Sequence, residues 1–311
     1  MFLLDRLKRL GLPWLISELV LVPILNYIVD IHGATNCTGG LYDCNYQGSV
    51  WQYLALYPRN QGSISDGPDW FLEALLFFSV GYVLWRLATR SLPVRMPGSH
   101  GNPGAAPRNG AIALFALAIG LGAFVVRIWA PVFMYYPPWN LEFARFPQYI
   151  ALFAAGAWAY RRHLLTTFTD RQARLWRWVA LGCVLVFPAI LAWAGVFSGT
   201  IDPRVGGGVN WMSLAYSLWE GFLCVSMVIT FLTWYRSSFN HQSRLGRAMS
   251  ESAFAVYIFH PIIIVPLTLL LSGIRMNLSL KLLLEAPFAV ALCYLVAYGL
   301  RKVPHFRSFL G

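Results

Sequence analysis

The chain has 311 residues, of which 58% are hydrophobic and only 12% are charged, against roughly 45–50% and about 25% in an average soluble domain. A water-soluble protein of this size could not bury so much apolar side chain, so the composition indicates a membrane protein. The net charge of +11 does not indicate nucleic-acid binding, because the basic residues lie between apolar runs and form no stripe on a soluble surface.

Eight apolar segments follow one another along the chain. Most have about 20 residues, enough for a helix to cross a hydrocarbon core of roughly 30 Å. They lack the alternation that is typical of barrel strands, so we predict an all-α polytopic bundle of about eight spanning helices in a single domain, residues 1–311. The predicted spans are residues 12–31, 69–88, 111–132, 146–160, 176–197, 211–235, 253–272 and 281–300.

The distribution of Lys and Arg predicts the orientation in the membrane. If the amino terminus is cytoplasmic, the segments on that side carry 18 basic residues and those on the opposite side carry 5. This positive-inside pattern favours a multi-pass protein of the inner (cytoplasmic) membrane with both termini in the cytoplasm. The first apolar run is too long for a cleavable signal peptide, so we expect it to remain as a span.

The polar segments between the spans carry few chemical signals. The external loop at residues 32–67 contains Cys37 and Cys44, and a disulfide between them is one of two open alternatives. A metal site that includes His32 is disfavoured, and no Cys spacing in the chain is typical of zinc. The Pro- and Gly-rich stretch at residues 93–107 indicates a flexible cytoplasmic linker.

Ionisable side chains inside the spans are the first candidates for function, since each costs about 2.5–3.5 kcal/mol at the bilayer centre on insertion scales. Arg127 and Glu220 are predicted at similar depths, and we expect them to pair. Glu73 and Glu285 lie toward the outer ends of their spans, so these residues and Trp70 predict a polar cavity that opens outward. A structural ion pair that fixes helix packing is the alternative.

Two further groups lie on the predicted cytoplasmic side. His260, one turn after Tyr257, precedes Pro261, whose missing backbone donor leaves a carbonyl for other polar groups. His260 is either a general base or an interhelical hydrogen-bonding residue. The basic pair Arg6 and Arg9 is either a positive-inside anchor or a grip for the phosphates of a cytoplasmic donor.

Three phrases in the sequence together resemble acyltransferase family 3, a family of integral membrane O-acyltransferases. They are DRLKRLGLP at residues 5–13, GPDWFLEALLF at residues 67–77 and SESAFAVYIFHP at residues 250–261. The resemblance implies transfer of an acyl group from cytoplasmic acyl-CoA, through the bundle, to a hydroxyl of an extracytoplasmic glycan or lipid-linked sugar, without a bound cofactor. It also associates Arg6 and Arg9 with the donor site.

The resemblance has one departure. Members of the family typically have two more helices before the segment that matches Arg6 and Arg9, and the first carries the histidine regarded as essential. This chain begins at Met1, so we expect it to lack that histidine and to transfer no acyl group by itself. His260 and Glu220 are weak catalytic candidates. Because His260 is predicted some 18 Å from the outer boundary, we expect it to bind the acyl donor together with Tyr257.

Two other functions fit the same pattern of spans and charges. A transporter or flippase for a lipid-linked sugar also needs an outward polar cavity, although the chain shows no duplicated halves. A non-catalytic subunit of a surface-glycan assembly is the other alternative.

Overall fold

The computed structural model describes residues 2–32, 46–60, 69–89, 106–137, 140–239, 243–274 and 276–303. Cys37, Cys44 and most of the predicted linker lie outside these ranges. Within them, the only strand-like pairing is an isolated bridge between Tyr136 and Leu141. The helices are α1 (residues 2–31), α2 (Val50–Asn60), α3 (Trp70–Ala88), α4 (Asn109–Arg127), α5 (Phe146–Arg161), α6 (Asp170–Trp193), α7 (Trp211–Ser238), α8 (Arg244–Ser272) and α9 (Leu278–Lys302).

The prediction of an all-α membrane bundle is confirmed. Among the described residues, seven helices are long and apolar enough to cross a bilayer, namely α1, α3, α4, α6, α7, α8 and α9. The fourth predicted span corresponds to α5, whose 16 residues extend only about 24 Å. The helices form two compact units, one with α1–α3, α8 and α9 and the other with α4–α7, and the single domain stays a prediction.

Two predicted spans end too late. Helix α4 ends at Arg127 rather than at residue 132, because the chain turns ahead of Pro131, and a helix rarely continues up to a proline. Arg127 is therefore the last residue of its helix. Helix α6 ends at Trp193 rather than at residue 197, because Gly195 has a φ of +82°, the left-handed conformation that terminates helices.

The seventh predicted span begins too late. Helix α8 starts at Arg244 rather than at residue 253, and the side chain of Ser243 caps it by accepting a hydrogen bond from the backbone N–H of Gly246. His260 is therefore near the middle of a 29-residue helix, farther from its start than predicted.

Helix α1 is continuous but contains two π-helical stretches, Leu7–Gly11 and Ser17–Leu21. Each ends two residues before a proline, Pro13 or Pro23. A proline cannot donate a backbone hydrogen bond and its ring collides with the preceding turn, so the wider π turn accommodates it. The second stretch includes Ser17, which is buried.

In the first unit, α3 packs on α8 and α9. Leu72 of α3 forms a buried cluster with Ala255 and Ile258 of α8 and Ala297 of α9. Two of these four residues are alanines, and such small side chains let helices approach closely in membranes. The packing fixes the start of α3 beside the middle of α8.

In the second unit, α4 and α7 cross in close contact, with a glycine of each helix at the crossing. A Cβ atom on Gly120 would lie 2.8 Å from the Cα of Leu218, and one on Gly221 would lie 2.5 Å from the carbonyl oxygen of Ala116. Only glycine fits at such distances, and small residues let helices approach in lipid. The crossing brings the end of α4 within reach of the side chain of Glu220.

Candidate functional site

The start of α3 is surrounded by polar side chains. Ser17, Asp69, Tyr257 and His260 form this group, which we call the α3 N-terminal site. The hydroxyl of Ser17 donates to Oδ2 of Asp69, and both residues are 1% exposed. The hydroxyl of Tyr257 accepts a hydrogen bond from the backbone N–H of Phe71, one of the amides that a first helical turn leaves without a partner. The site therefore joins α1, α3 and α8.

The backbone fixes the tautomer of His260. Its Nδ1 lies 2.8 Å from the carbonyl oxygen of Tyr257, and since a carbonyl only accepts, Nδ1 carries the proton. That carbonyl would normally accept from the N–H four residues later, but the residue there is Pro261. The sequence-based expectation of an exposed carbonyl near His260 is therefore confirmed. Whenever the half-buried ring carries this one proton alone, Nε2 has the lone pair that a general base requires.

Asp69 precedes the apolar run of α3, and its carboxyl group is electrostatically perturbed. Burial raises the pKa of Asp69 from its ordinary value of 3.8 to about 6, although the hydrogen bond from Ser17 and the charge of His260 act in the opposite direction. Its Oδ1 accepts no hydrogen bond from the described residues. A carboxyl group with these properties beside an imidazole can stabilise the imidazolium or exchange a proton with it.

The second unit contains a buried ionic network around Glu220. Arg127, which is 0% exposed, donates to one carboxylate oxygen of Glu220 and, at 2.9 Å, to the hydroxyl of Ser217. Arg145 donates to the other carboxylate oxygen of Glu220 at 2.8 Å and to Glu142 at 2.9 Å. The predicted pairing of Arg127 with Glu220 is confirmed. We call these five residues the Glu220 network.

A glycine loop holds the end of α4 in this network. The N–H of Gly208 donates to the carbonyl of Arg127 at 2.9 Å, and a Cβ on Gly207 would lie 2.7 Å from the same oxygen. Burial lowers the pKa of Arg145, but the carboxylates of Glu220 and Glu142 outweigh that effect and raise it above its ordinary value. The charges of the network are thus mutually neutralised.

Comparison with known proteins gives one match. The family described as an acyltransferase domain, acyltransferase family 3, matches residues 1–302 of the chain. The chain belongs to acyltransferase family 3. No curated protein and no solved structure is significantly similar to it. With seven candidate spans in the described residues, this family 3 chain is an integral, multi-pass membrane protein of acyltransferase type.

The residues predicted to line one polar cavity lie in two units of this family 3 acyltransferase. Arg127 and Glu220 belong to the second unit, whereas Glu73, Trp70 and Glu285 belong to the first. The carboxylate of Glu285 accepts from the hydroxyl of Thr268 at 2.5 Å. Glu73 is buried one turn after Trp70 on α3.

The predicted donor-binding arginines lie near the amino terminus of α1. Arg9 is exposed, and its Nε donates to Asp5 at 3.0 Å. Arg6 is half-buried. Tyr257 and His260, the other two residues predicted to bind the donor, lie in the α3 N-terminal site, so the structure brings these two together with Asp69.

Sequence reasoning missed Ser17, Asp69, Glu142 and Arg145 as site residues of this family 3 chain. Asp69 lies inside the phrase that resembles the family, so its type and position were a usable signal. Glu142 and Arg145 are three residues apart, a spacing that lets them pair within a helical turn. Nothing in the local sequence around Ser17 indicates its contact with Asp69.

Proposed function

We propose that the chain is an O-acyltransferase that uses His260 as its proton acceptor. Its donor is cytoplasmic acyl-CoA, and its acceptor is a hydroxyl group of an extracytoplasmic glycan or lipid-linked sugar. Membership of acyltransferase family 3 supports the reaction class. The observation that carries the assignment of His260 is the contact of its Nδ1 with the carbonyl of Tyr257, which in the neutral ring leaves the lone pair on Nε2. The electrostatic interaction of His260 with Asp69 supports it.

In the proposed step, His260 takes up one proton and gives it back. Nε2 takes the proton of the acceptor hydroxyl while the oxygen attacks the acyl carbonyl carbon, so a C–O bond forms. The C–S bond of the thioester then breaks, and the departing thiolate of coenzyme A takes the proton back from the imidazolium. The carboxylate of Asp69 stabilises the imidazolium between the two transfers.

The position of α3 supports access from the acceptor side. The predicted topology places the residue 69 end of α3 on the outer side of the membrane and His260 far from that side. In the first unit, however, Tyr257 accepts from the N–H of Phe71, and the charge of His260 acts on Asp69. A hydroxyl group that reaches the outer end of α3 therefore also reaches His260, which favours proton transfer over donor binding alone.

We assign the phosphates of acyl-CoA to Arg6 and Arg9. A guanidinium group binds phosphate through two parallel hydrogen bonds, which an ammonium group cannot do. Replacing Arg6 and Arg9 by Lys keeps the charge, so we expect weaker coenzyme A binding with unchanged membrane insertion. The control is Lys8→Arg, and equal binding by both variants would leave the pair as a topological signal.

The direct test measures acyl transfer in membranes. Membranes that contain the chain receive acetyl-CoA labelled in the acetyl group, and the label that mild alkali releases from lipid and glycan is counted as ester. We expect transfer above that of host membranes, and a loss of about 10²–10⁴-fold in His260→Gln. The control is His32→Gln, since Nδ1 of His32 also lies 2.8 Å from a carbonyl of its own helix.

Two outcomes would overturn the proposal. Full transfer by His260→Gln would exclude His260 as the proton acceptor. No transfer by the unchanged chain would instead agree with the expectation, drawn from the resemblance, that the chain alone is inactive.

We also place the chain in the inner membrane with both termini in the cytoplasm, because of the predicted positive-inside pattern. A reporter enzyme that is active only in the cytoplasm, fused after Gly311, should be active. An active periplasmic reporter at the same position would contradict this orientation.

A further inference from the structure

A basic cavity lies where α6 begins and α7 ends in the second unit. Its volume is about 240 Å³. The polar residues in its wall are three arginines, two hydroxyl residues and one aspartate, so the wall has a net positive charge. They are Asp170, Arg174, Arg177, Thr233, Arg236 and Ser237.

Arg236 is fixed before any ligand binds. Its guanidinium group donates to the carbonyl of Thr166 at 2.7 Å and to that of Phe168 at 3.0 Å. These contacts tie the loop between α5 and α6 to the end of α7. A side chain that is already ordered loses little conformational entropy when it binds an anion.

The other two arginines supply the available hydrogen-bond donors of the cavity. The hydroxyl groups of Thr233 and Ser237 donate to carbonyls of their own helix. Arg174 and Arg177 are exposed, and among the residues that the structure describes they form no ion pair and no side-chain hydrogen bond. Two adjacent guanidinium groups with free donors match the oxygens of a phosphate ester.

An exposed apolar surface continues from the cavity along both helices. Leu181 and Leu185 follow Arg177 at helical spacing on α6, and Leu232 and Val228 precede Arg236 at the same spacing on α7. Both helices are candidate spans, so the cavity lies where an apolar, lipid-facing surface gives way to charge. This is the level of the lipid headgroups.

We propose that this cavity binds the phosphate of an anionic phospholipid whose acyl chains lie on the apolar surface of α6 and α7. Basic pockets between spanning helices on the cytoplasmic side are suited to such headgroups. The cavity has no residue in common with those assigned to acyl transfer, so it is a lipid contact of the second unit and does not depend on the proposed reaction.

The test compares two variants that lose the same charge. Arg174→Gln with Arg177→Gln removes the donors of the cavity, whereas Arg162→Gln with Arg171→Gln removes two nearby arginines that do not line it. Each purified chain in neutral detergent is titrated with dioleoylphosphatidylglycerol, and bound lipid is counted by native mass spectrometry. We expect lipid binding about tenfold weaker in the cavity variant than in the control.

A second arm distinguishes the source of the phosphate. Coenzyme A replaces the lipid in the same titration, and the cavity variant should bind it as the control does. Equal loss of lipid binding in both variants, or none in either, would overturn the site. Weaker coenzyme A binding with unchanged lipid binding would assign the cavity to the acyl donor and overturn the lipid. Unfolding temperatures of the two variants verify that both are folded.

Discussion

The α3 N-terminal site and the Glu220 network are both largely buried groups of polar side chains, but they differ in how completely their central carboxylates are paired. In the Glu220 network, each carboxylate oxygen of Glu220 has a guanidinium partner. In the α3 N-terminal site, Oδ1 of Asp69 accepts no hydrogen bond from the described residues, and Nδ1 of His260 contacts a backbone carbonyl, which in the neutral ring leaves the lone pair on Nε2.

This difference in pairing predicts different roles for the two groups: one stabilises the fold and the other transfers protons. A carboxylate with a guanidinium partner at each oxygen holds helices together, and removing it leaves uncompensated charges in a low-dielectric interior. A lone pair beside a carboxyl group with a raised pKa is instead able to move protons. We therefore expect substitutions in the network to lower the free energy of unfolding and those in the α3 N-terminal site to change the rate of acyl transfer.

The largest expected effect is on the network. Glu220→Gln leaves Arg127 and Arg145 around a neutral amide, so we expect the free energy of unfolding to fall by about 3–5 kcal/mol. Unfolding in detergent measures it, and Glu285→Gln, which keeps a partner in Thr268, is the control. A Glu220→Gln chain that unfolds like the parent but transfers no acyl group would reverse the comparison and make the network catalytic.

The carboxyl group of Asp69 predicts a dependence of stability on pH. Because its pKa is about 6 in the folded chain against an ordinary 3.8, the folded chain holds this proton more tightly between these values. The stability of the parent, relative to Asp69→Asn, should therefore fall as pH rises from about 4 to about 6 and stay level above, by at most about 3 kcal/mol. If the free energies of unfolding of the parent and of Asp69→Asn instead change with pH in the same way, Asp69 has an ordinary pKa.

The glycine crossing predicts a smaller loss of stability. Gly221→Ala places a methyl group against the carbonyl of Ala116, which backbone packing holds in place, so we expect a loss of about 1–3 kcal/mol. Gly182→Ala is the control, because nothing lies within 4 Å of the added atom. Equal unfolding temperatures for the two variants would mean that α4 and α7 do not depend on this contact.

The smallest predicted effect concerns the tautomer of His260. Pro261→Ala restores a backbone N–H that competes for the carbonyl of Tyr257, so the ring loses its fixed tautomer. We expect acyl transfer to fall about tenfold. Pro266→Ala in the same helix changes the backbone without affecting this carbonyl, so it should retain the parental rate. Equal rates for the two variants would mean that Pro261 does not affect acyl transfer.

The sequence predicts the helices better than it predicts the site. Spans follow from apolar runs, and α7 begins at Trp211 as predicted. The pairing of Arg127 with Glu220 could be predicted because each is the lone charge of its apolar run. The burial and the contacts of Asp69 could not be predicted, since an aspartate that precedes a helix normally caps it at the surface, and its burial depends on contacts with α1 and α8, which are distant in the sequence.

The most direct test of His260 as the proton acceptor is chemical rescue. His260→Gly removes the imidazole and leaves space for a free one, so we predict that acyl transfer by this variant is nearly lost and rises with the concentration of added imidazole. The parent chain and His32→Gly should not respond to imidazole. Parental transfer by His260→Gly without imidazole would contradict the assignment of His260.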